Sequence, residues 1–323
     1  MKHFAALLAL GLLPVHAFAE SPLPSDPYLW LERMATAAHQ LNYSGIFIYR
    51  YGGQIETSRI VHKMDEAGEH EKLEALDGPP REIIRSNNEI FCYLPDQQAF
   101  KMEKRGTHKV FPALLPKQLS DLAASYTIKL GTRERIAGYD CQNIILEPKD
   151  GFRYGHKFCA ELNSALLLKA IMLNEKNVMV DQFSFTHVSL GVPIDNDEFK
   201  PKLAGGVMHW QGQQPIVADT AAGETGWLVK QAPPGFKRIM EMKRGMPGKK
   251  MPIAHLVFSD GLAAVSIFVE PLAAGAHPMD GLSNQGAINI YAKPLSENQV
   301  TVLGEVPAAT VMQIGNSVIS KPR

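Results

Sequence analysis

Three cysteines, one basic stretch threaded with methionine, and eleven scattered histidines are the residues of this 323-residue chain with the most chemical potential. Cys141 and Cys159 are equidistant from Asp150, in the turn sequence Lys149-Asp150-Gly151. In a symmetric hairpin they face each other across two strands, within reach of a disulfide. That spacing allows a Cys141–Cys159 bond with Cys92 left as a buried thiol. It equally allows three reduced, buried cysteines, and a Cys92–Cys141 pair is a third arrangement. The basic stretch holds Lys237, Arg238, Lys243, Arg244, Lys249 and Lys250, with Glu241 the opposing acid and Met240, Met242, Met246 and Met251 interleaved. Methionine adapts to irregular partners. A positive, methionine-rich segment suits an acidic peptide or a phosphorylated lipid head group. The plainer reading is a solvated hairpin with its methionines in the core.

Catalytic patterns are missing. The chain has no Gly-rich phosphate loop, no C-x-x-C, no H-E-x-x-H and no G-x-S-x-G elbow. Asp195-Asn196-Asp197-Glu198 lacks the central glycine and distant glutamate of a calcium loop, so it reads as a solvated turn. Ser259-Asp260 beside His255 invites a triad, but Ser-Asp-Gly is first of all a turn sequence. His62 reads as a satisfied strand residue rather than a base. These patterns indicate a protein that is not an enzyme and that needs no metal or cofactor. The 33 Lys+Arg balance the 33 Asp+Glu, which argues against a nucleic-acid partner.

The elements that must position these residues divide in two. Met1-Lys2-His3, an apolar run from Phe4 to Leu13, and Ala17 and Ala19 form a secretory signal cut after Ala19, residues 1–19. Export places the mature chain in a compartment where thiols tend to oxidise. Asp26-Pro27 starts an amphipathic helix over 27–41. The period then changes to two: Tyr43–Tyr51, a Gly52-Gly53 turn and Gln54–Lys63 predict a hairpin. Short strands follow near 69–76, 81–86, 89–94 and 98–103, a helix over 111–124, and strands near 126–136, 139–147, 153–161, 166–174 and 178–188. This is an α+β, mostly antiparallel β domain over 20–200, a meander that must curl to hide its edges. Its concave face has candidate lipid-pocket residues in Phe47, Tyr49, Phe91 and Tyr93, although a one-residue slip would turn every side chain over. Residues 201–226 read as a linker. A smaller α+β domain over 227–323 follows, with strands at Trp227–Gln231, His255–Phe258, Val265–Glu270, Ile288–Lys293 and Gln299–Gly304. Pro307 opens a last helix with Val311, Ile314 and Val318 on one face.

Several segments, in this order and spacing, resemble the MucB/RseB regulators of the envelope stress response. They are Leu41-Asn-Tyr-Ser-Gly-Ile-Phe-Ile-Tyr49, Gly78-Pro-Pro-Arg-Glu-Ile-Ile-Arg85, Pro148-Lys-Asp-Gly-Phe-Arg-Tyr-Gly155, Leu166-Leu-Leu-Lys169, Pro234-Gly-Phe236, Ser259-Asp-Gly-Leu-Ala-Ala-Val-Ser-Ile-Phe268 and Gly304-Glu-Val-Pro307. The resemblance implies a large domain like the lipoprotein carriers LolA and LolB, an unclosed barrel with helices in its mouth. It also implies a small domain that binds the periplasmic part of a membrane anti-sigma factor. That binding shields the partner from site-1 proteolysis until misplaced lipoprotein or lipopolysaccharide releases it. The basic residues above, with the Ser259–Phe268 hairpin, its Phe268 and the adjoining Phe258, are then the candidate partner contacts. Homo-oligomers are compatible with this reading, and a lipid or lipoprotein carrier of the LolA/LolB type is the alternative. Phe158-Cys159 departs from the family pattern, which carries no second cysteine there.

Overall fold

Asp26 begins the first element as its type requires. In the computed structural model its carboxylate accepts the Tyr28 N–H at 2.9 Å, and helix α1 runs Pro27–Gln40. The structure describes residues 23–87, 89–95, 100–102, 111–116, 119–203, 225–245, 251–273 and 275–321. The expected signal segment and most of the expected linker lie outside the described residues.

After α1 the chain alternates. Strands β1 (Tyr43–Tyr51), β2 (Gln54–Asp65), β3 (Gly68–Ala75), β4 (Glu82–Ser86), β5 (Glu89–Tyr93) and β6 (Phe100–Met102) form one half of a sheet. A four-residue helix α2 (Leu122–Ser125) precedes β7 (Tyr126–Ile136), β8 (Tyr139–Pro148), β9 (Gly155–Glu161), β10 (Leu167–Leu173) and β11 (Met179–Leu190), which form the other half. The order is β6-β5-β4-β3-β2-β1-β11-β10-β9-β8-β7. β1 therefore pairs with both β2 and β11, while β6 and β7 stay at opposite ends and the curved sheet remains unclosed.

Register decides which side chains face inward, because successive residues of a strand point to opposite faces. One row of cross-strand partners runs Tyr49–Phe183–Ala170–Phe158–Ile144–Leu130. From Phe183 onward this row, with Tyr43, Phe47, Ile60 and Phe185, packs against Trp30, Leu31 and Met34 of α1 and against Phe111, Leu115, Leu119 and Leu122. The opposite face carries a strap. Glu198 accepts from Arg59 at 3.1 Å, and Asn196 accepts from Lys63 at 2.7 Å. Lys72, paired with Glu82 at 2.8 Å, donates to the Lys200 carbonyl, and Glu82 accepts the Lys202 and Leu203 N–H groups. Both charged side chains of this pair are buried, each facing the opposite charge.

The second unit has a six-stranded sheet ordered β13-β14-β15-β18-β17-β16. Its strands are β13 (Lys237–Arg244), β14 (Ile253–Ser259), β15 (Ala264–Pro271), β16 (Gly281–Gln285), β17 (Ile288–Leu295) and β18 (Asn298–Gly304). Leu256, Phe258, Val265, Ile267, Val300 and Val302 cover one face and meet Val311 and Ile314 of α3 (Ala308–Asn316). Beside it β12 (Trp227–Val229) pairs with β19 (Val318–Ser320).

Three expectations change. The helix over 111–124 is reduced to Leu122–Ser125. Pro112 and Pro116 lack the N–H a helix needs, and each disfavours helical backbone in the residue before it. The last helix stops at Asn316, and Val318 belongs to a strand. Strands β13 and β16 add to the expected ones; the charges of the first mask its alternation, and Gly281–Gln285 is exposed throughout and has no apolar face.

Candidate functional site

The basic stretch is the edge strand of the smaller sheet. Lys237 donates to Asp121 at 2.7 Å across the junction with the larger unit, and Arg238 pairs with Glu241. Glu241 is turned inward and accepts from Thr225 N–H and Oγ1–H at 3.0 and 2.8 Å. Met240 and Met242 stand opposite Val257 and His255, on the face away from α3. Phe268 stacks on His255 there, 4.3 Å between ring centroids. Lys243 is half-buried. Lys249, Lys250 and the Arg244 side chain lie outside the described residues. Phe258 is a correction: at 7% exposure it belongs to the core between sheet and α3, because its register places it beside Leu256 rather than beside His255.

The aromatic candidates of the larger sheet divide in the same way. Phe47 and Tyr49 face inward, and Tyr49 stacks on Phe183 at 4.2 Å. Phe91 and Tyr93 do not join them. Tracing partners from β1 to β5 puts both on the opposite face, packed with Ile84 and Leu203 under the strap. Cys92, buried, takes the inward register position instead. The four residues therefore do not line one cavity.

Cys141 and Cys159 are joined, with Cα atoms 5.4 Å apart, and Cys92 is a free thiol. The hairpin is not symmetric about Asp150, however. Cys141 stands opposite Glu161 and Cys159 opposite Asn143, so the bond crosses β8 and β9 diagonally.

The residues weighed for catalysis have structural partners. His62 Nδ1 contacts the Leu41 carbonyl at 2.7 Å, and its other nitrogen contacts Glu69, which His39 also reaches. Those two histidine contacts hold the Glu69 carboxyl far below its usual range. Ser259 Oγ donates to the Ala263 carbonyl, and His255 Nε2 contacts Ser266 Oγ, so neither serves a Ser-His-Asp relay. Asp195 caps a single 3-10 turn at Asn196–Phe199.

Sequence reasoning missed the junction between the two units. Arg153 and Asp260, both fully buried side chains, meet at 2.7 Å. Arg153 also donates to both carboxylate oxygens of Asp150 at 3.0 Å and to the Pro234 carbonyl at 2.5 Å. Its guanidinium lies over the Tyr126 and Phe236 rings, at 5.7 and 5.2 Å. Thr310 Oγ1–H donates to the Phe152 carbonyl, and Asn289 donates to Tyr154 Oη. Single charged residues in turns carry no periodicity, and only the match of Pro148–Gly155 and Ser259–Phe268 to family segments marked them.

A second buried acid sits nearby. Burial first, and the charge of Glu305 from the smaller unit second, push the Asp181 carboxyl up to about 7, while Tyr49 Oη–H, 3.5 Å away, opposes them. The folded protein therefore keeps a proton that the unfolded chain releases near its ordinary 3.8. The stability this gives is complete at low pH and is lost as pH rises through about 7. Asp181→Asn should accordingly gain on wild type in thermal melts as pH is raised from about 5 to about 8. A gap between the two that stays constant with pH would refute the linkage.

Together these features define a two-part, mostly antiparallel β-protein, with an open sheet wrapped around an apolar interior and locked to a smaller sheet that ends in a basic edge. The chain belongs to the MucB/RseB family: the family's N-terminal domain model matches residues 26–203 and its C-terminal domain model residues 221–319. The sigma factor AlgU regulatory protein MucB of Pseudomonas aeruginosa is 32% identical over 329 residues, covering 98% of each chain. The sigma-E factor regulatory protein RseB of Escherichia coli K12 is 26% identical, over 98% of this chain and 96% of that one. A crystal structure of MucB in complex with MucA(peri) superposes with a TM-score of 0.74 at 27% identity, over 92% of this chain and 100% of that chain.

Proposed function

We propose that this protein is a periplasmic negative regulator of an envelope stress response. It binds the periplasmic domain of a membrane anti-sigma factor and shields it from site-1 proteolysis. Lipoprotein or lipopolysaccharide signals release it. The observation that carries this reading is the likeness, over nearly the whole chain, to a MucB structure held in complex with MucA(peri). Geometry supports it in two places. Among the described residues the edge strand β13 pairs on one side only, with β14, and carries Lys237, Arg238 and Lys243, with Met240, Met242 and Phe268 beside them. An exposed edge of this kind can take an extended segment of a partner. Meanwhile the apolar interior of the larger sheet suits an acyl chain. The mechanism is occupancy, with no covalent step.

The test is a protease-protection assay on the anti-sigma periplasmic fragment, with and without this protein, titrated with lipopolysaccharide. Protection that lipopolysaccharide reverses supports the reading. A fragment cut equally fast in both reactions overturns it.

A further inference from the structure

The two outer strands of the smaller sheet differ. β13 carries Lys237, Arg238, Lys243 and Arg244, and its register shifts between Arg238 and Met240. Charges and a bulge are common guards on an open edge. β16, at the other end, has neither. Gly281-Leu-Ser-Asn-Gln285 is uncharged, holds no proline and pairs with β17 without a shift. All five residues are exposed, and among the described residues β16 pairs on one side only. The direction of its free groups follows from the turn. Gln285 and Ile288 close a two-residue hairpin. Such a closing pair exchanges hydrogen bonds, and bonded and open pairs then alternate along the ladder. Leu282 and Asn284 therefore turn their N–H and C=O groups away from β17.

The Gly286 end of this edge abuts the larger unit. A Cβ on Gly286 would stand 3.5 Å from the Tyr51 ring, and one on Gly52 would stand 3.7 Å from the Gly286 Cα, so two hairpin turns meet tip to tip. Beside them Arg50, Gly52, Gly53, Met179, Val180 and Gly286 line a cavity of about 280 Å³. Arg50 is the charged residue of that lining. It is exposed and, among the described residues, its side chain makes no hydrogen bond or ion pair. The same holds for Asp280, the residue just ahead of β16.

We infer that β16 pairs antiparallel with β16 of a second copy of this chain, centred on Ser283, and that Asp280 of each copy seats at Arg50 of the other. The free groups set the register. Leu282 of one copy exchanges both bonds with Asn284 of the other, and the converse, which uses every outward group of the two residues. That same register carries Asp280 of one copy to Gly286 of the other, at the cavity that Arg50 lines. Two opposite charges without partners thus meet across the pair, from different units of the two copies. Met279, 59% exposed, comes against the same turn, and Leu282, 48% exposed, is covered. The interface is isologous, so it closes at two copies and leaves no edge on which a fibre could grow from β16. Five paired residues a side fall short of the roughly 1,200 Å² of a stable interface, so the pair is weak and concentration-dependent. β13, at the other end of the sheet, stays open in it.

Analytical ultracentrifugation of the full mature chain over a range of concentrations tests the pairing. Asn284→Pro removes an outward N–H and leaves the β17 ladder whole, so it should weaken dimerisation about tenfold. Asn284→Ala keeps that N–H and should dimerise like wild type. Arg50→Asp should weaken the dimer about fivefold, and joining it to Asp280→Arg should restore it. Ser283→Cys sets two cysteines opposite each other at the twofold axis, with Cα atoms about 4.5 Å apart, and should oxidise to a cross-linked dimer. Leu282→Cys, which faces Asn284 instead, should not. A chain that stays monomeric at every concentration overturns the inference. A dimer that Asn284→Pro leaves intact, a charge swap that restores nothing, or cross-linking at position 282 rather than 283 overturns it equally. Arg50, Asp280 and Ser283 are exposed, so the swap and the cross-link carry the test even if Asn284→Pro does not fold.

Discussion

Asp260→Ala should destabilise the protein by about 3–5 kcal/mol, the range for removing one partner of a buried ion pair. The Asp260 carboxylate does two jobs. One oxygen accepts the Leu262 and Ala263 N–H groups at 2.9 and 2.8 Å and so holds the β14–β15 turn. The other accepts from Arg153 at 2.7 Å and from Tyr126. Without it the guanidinium remains buried across the junction, with Asp150, which is 25% exposed, as its remaining carboxylate. Because the pair joins the two units, the loss should also split a single unfolding transition into two, with the smaller unit melting first. Calorimetry measures both effects. Asp260→Asn keeps an oxygen for the turn and discards the charge, so its cost should be smaller. Arg153→Met combined with Asp260→Leu removes both charges and should recover much of the loss. A single transition for Asp260→Ala, within about 1 kcal/mol of wild type, would show that the ion pair does not hold the units together.

The junction also shows what could be read in advance. Helix α1 and the strands from β1 to β11 were legible because capping residues, Gly-Gly turns and alternation are local signals, and each agreed with the next. The leucines ahead of β7 were not. Leu114, Leu115, Leu119 and Leu122 have helical spacing, and only the packing shows that the two prolines prevail. Faces were legible as alternation but not as direction. Phe47 with Tyr49, and Phe91 with Tyr93, alternate identically, and it takes the register through four intervening strand pairs to show that they point apart. The family was legible from ordered short segments. Yet within those segments the residues that lock the domains, Arg153 and Asp260, are indistinguishable in type from any solvated turn charge. Burial across a non-local interface makes them structural, and no local pattern encodes it.

Replacing both cysteines, Cys141→Ala with Cys159→Ala, should cost about 3 kcal/mol, since a bond closing a short loop removes roughly that much conformational freedom from the unfolded chain. The two residues are 18 apart in sequence. For a domain of this size the loss corresponds to a fall in melting temperature of about 5–10 °C. Both side chains are buried, at 0% and 1% exposure, so reductant should act slowly on the folded protein and quickly once denaturant opens it. The free thiol supplies an internal control. Cys92 is buried on a different strand, and burial raises its thiol's pKa, so Cys92→Ala should leave the reductant dependence unchanged. Non-reducing peptide mapping of the purified protein reads the bond directly, and urea titration with and without reductant reads its worth. Equal midpoints in the two titrations would show that the diagonal β8–β9 crossing is held by the sheet alone.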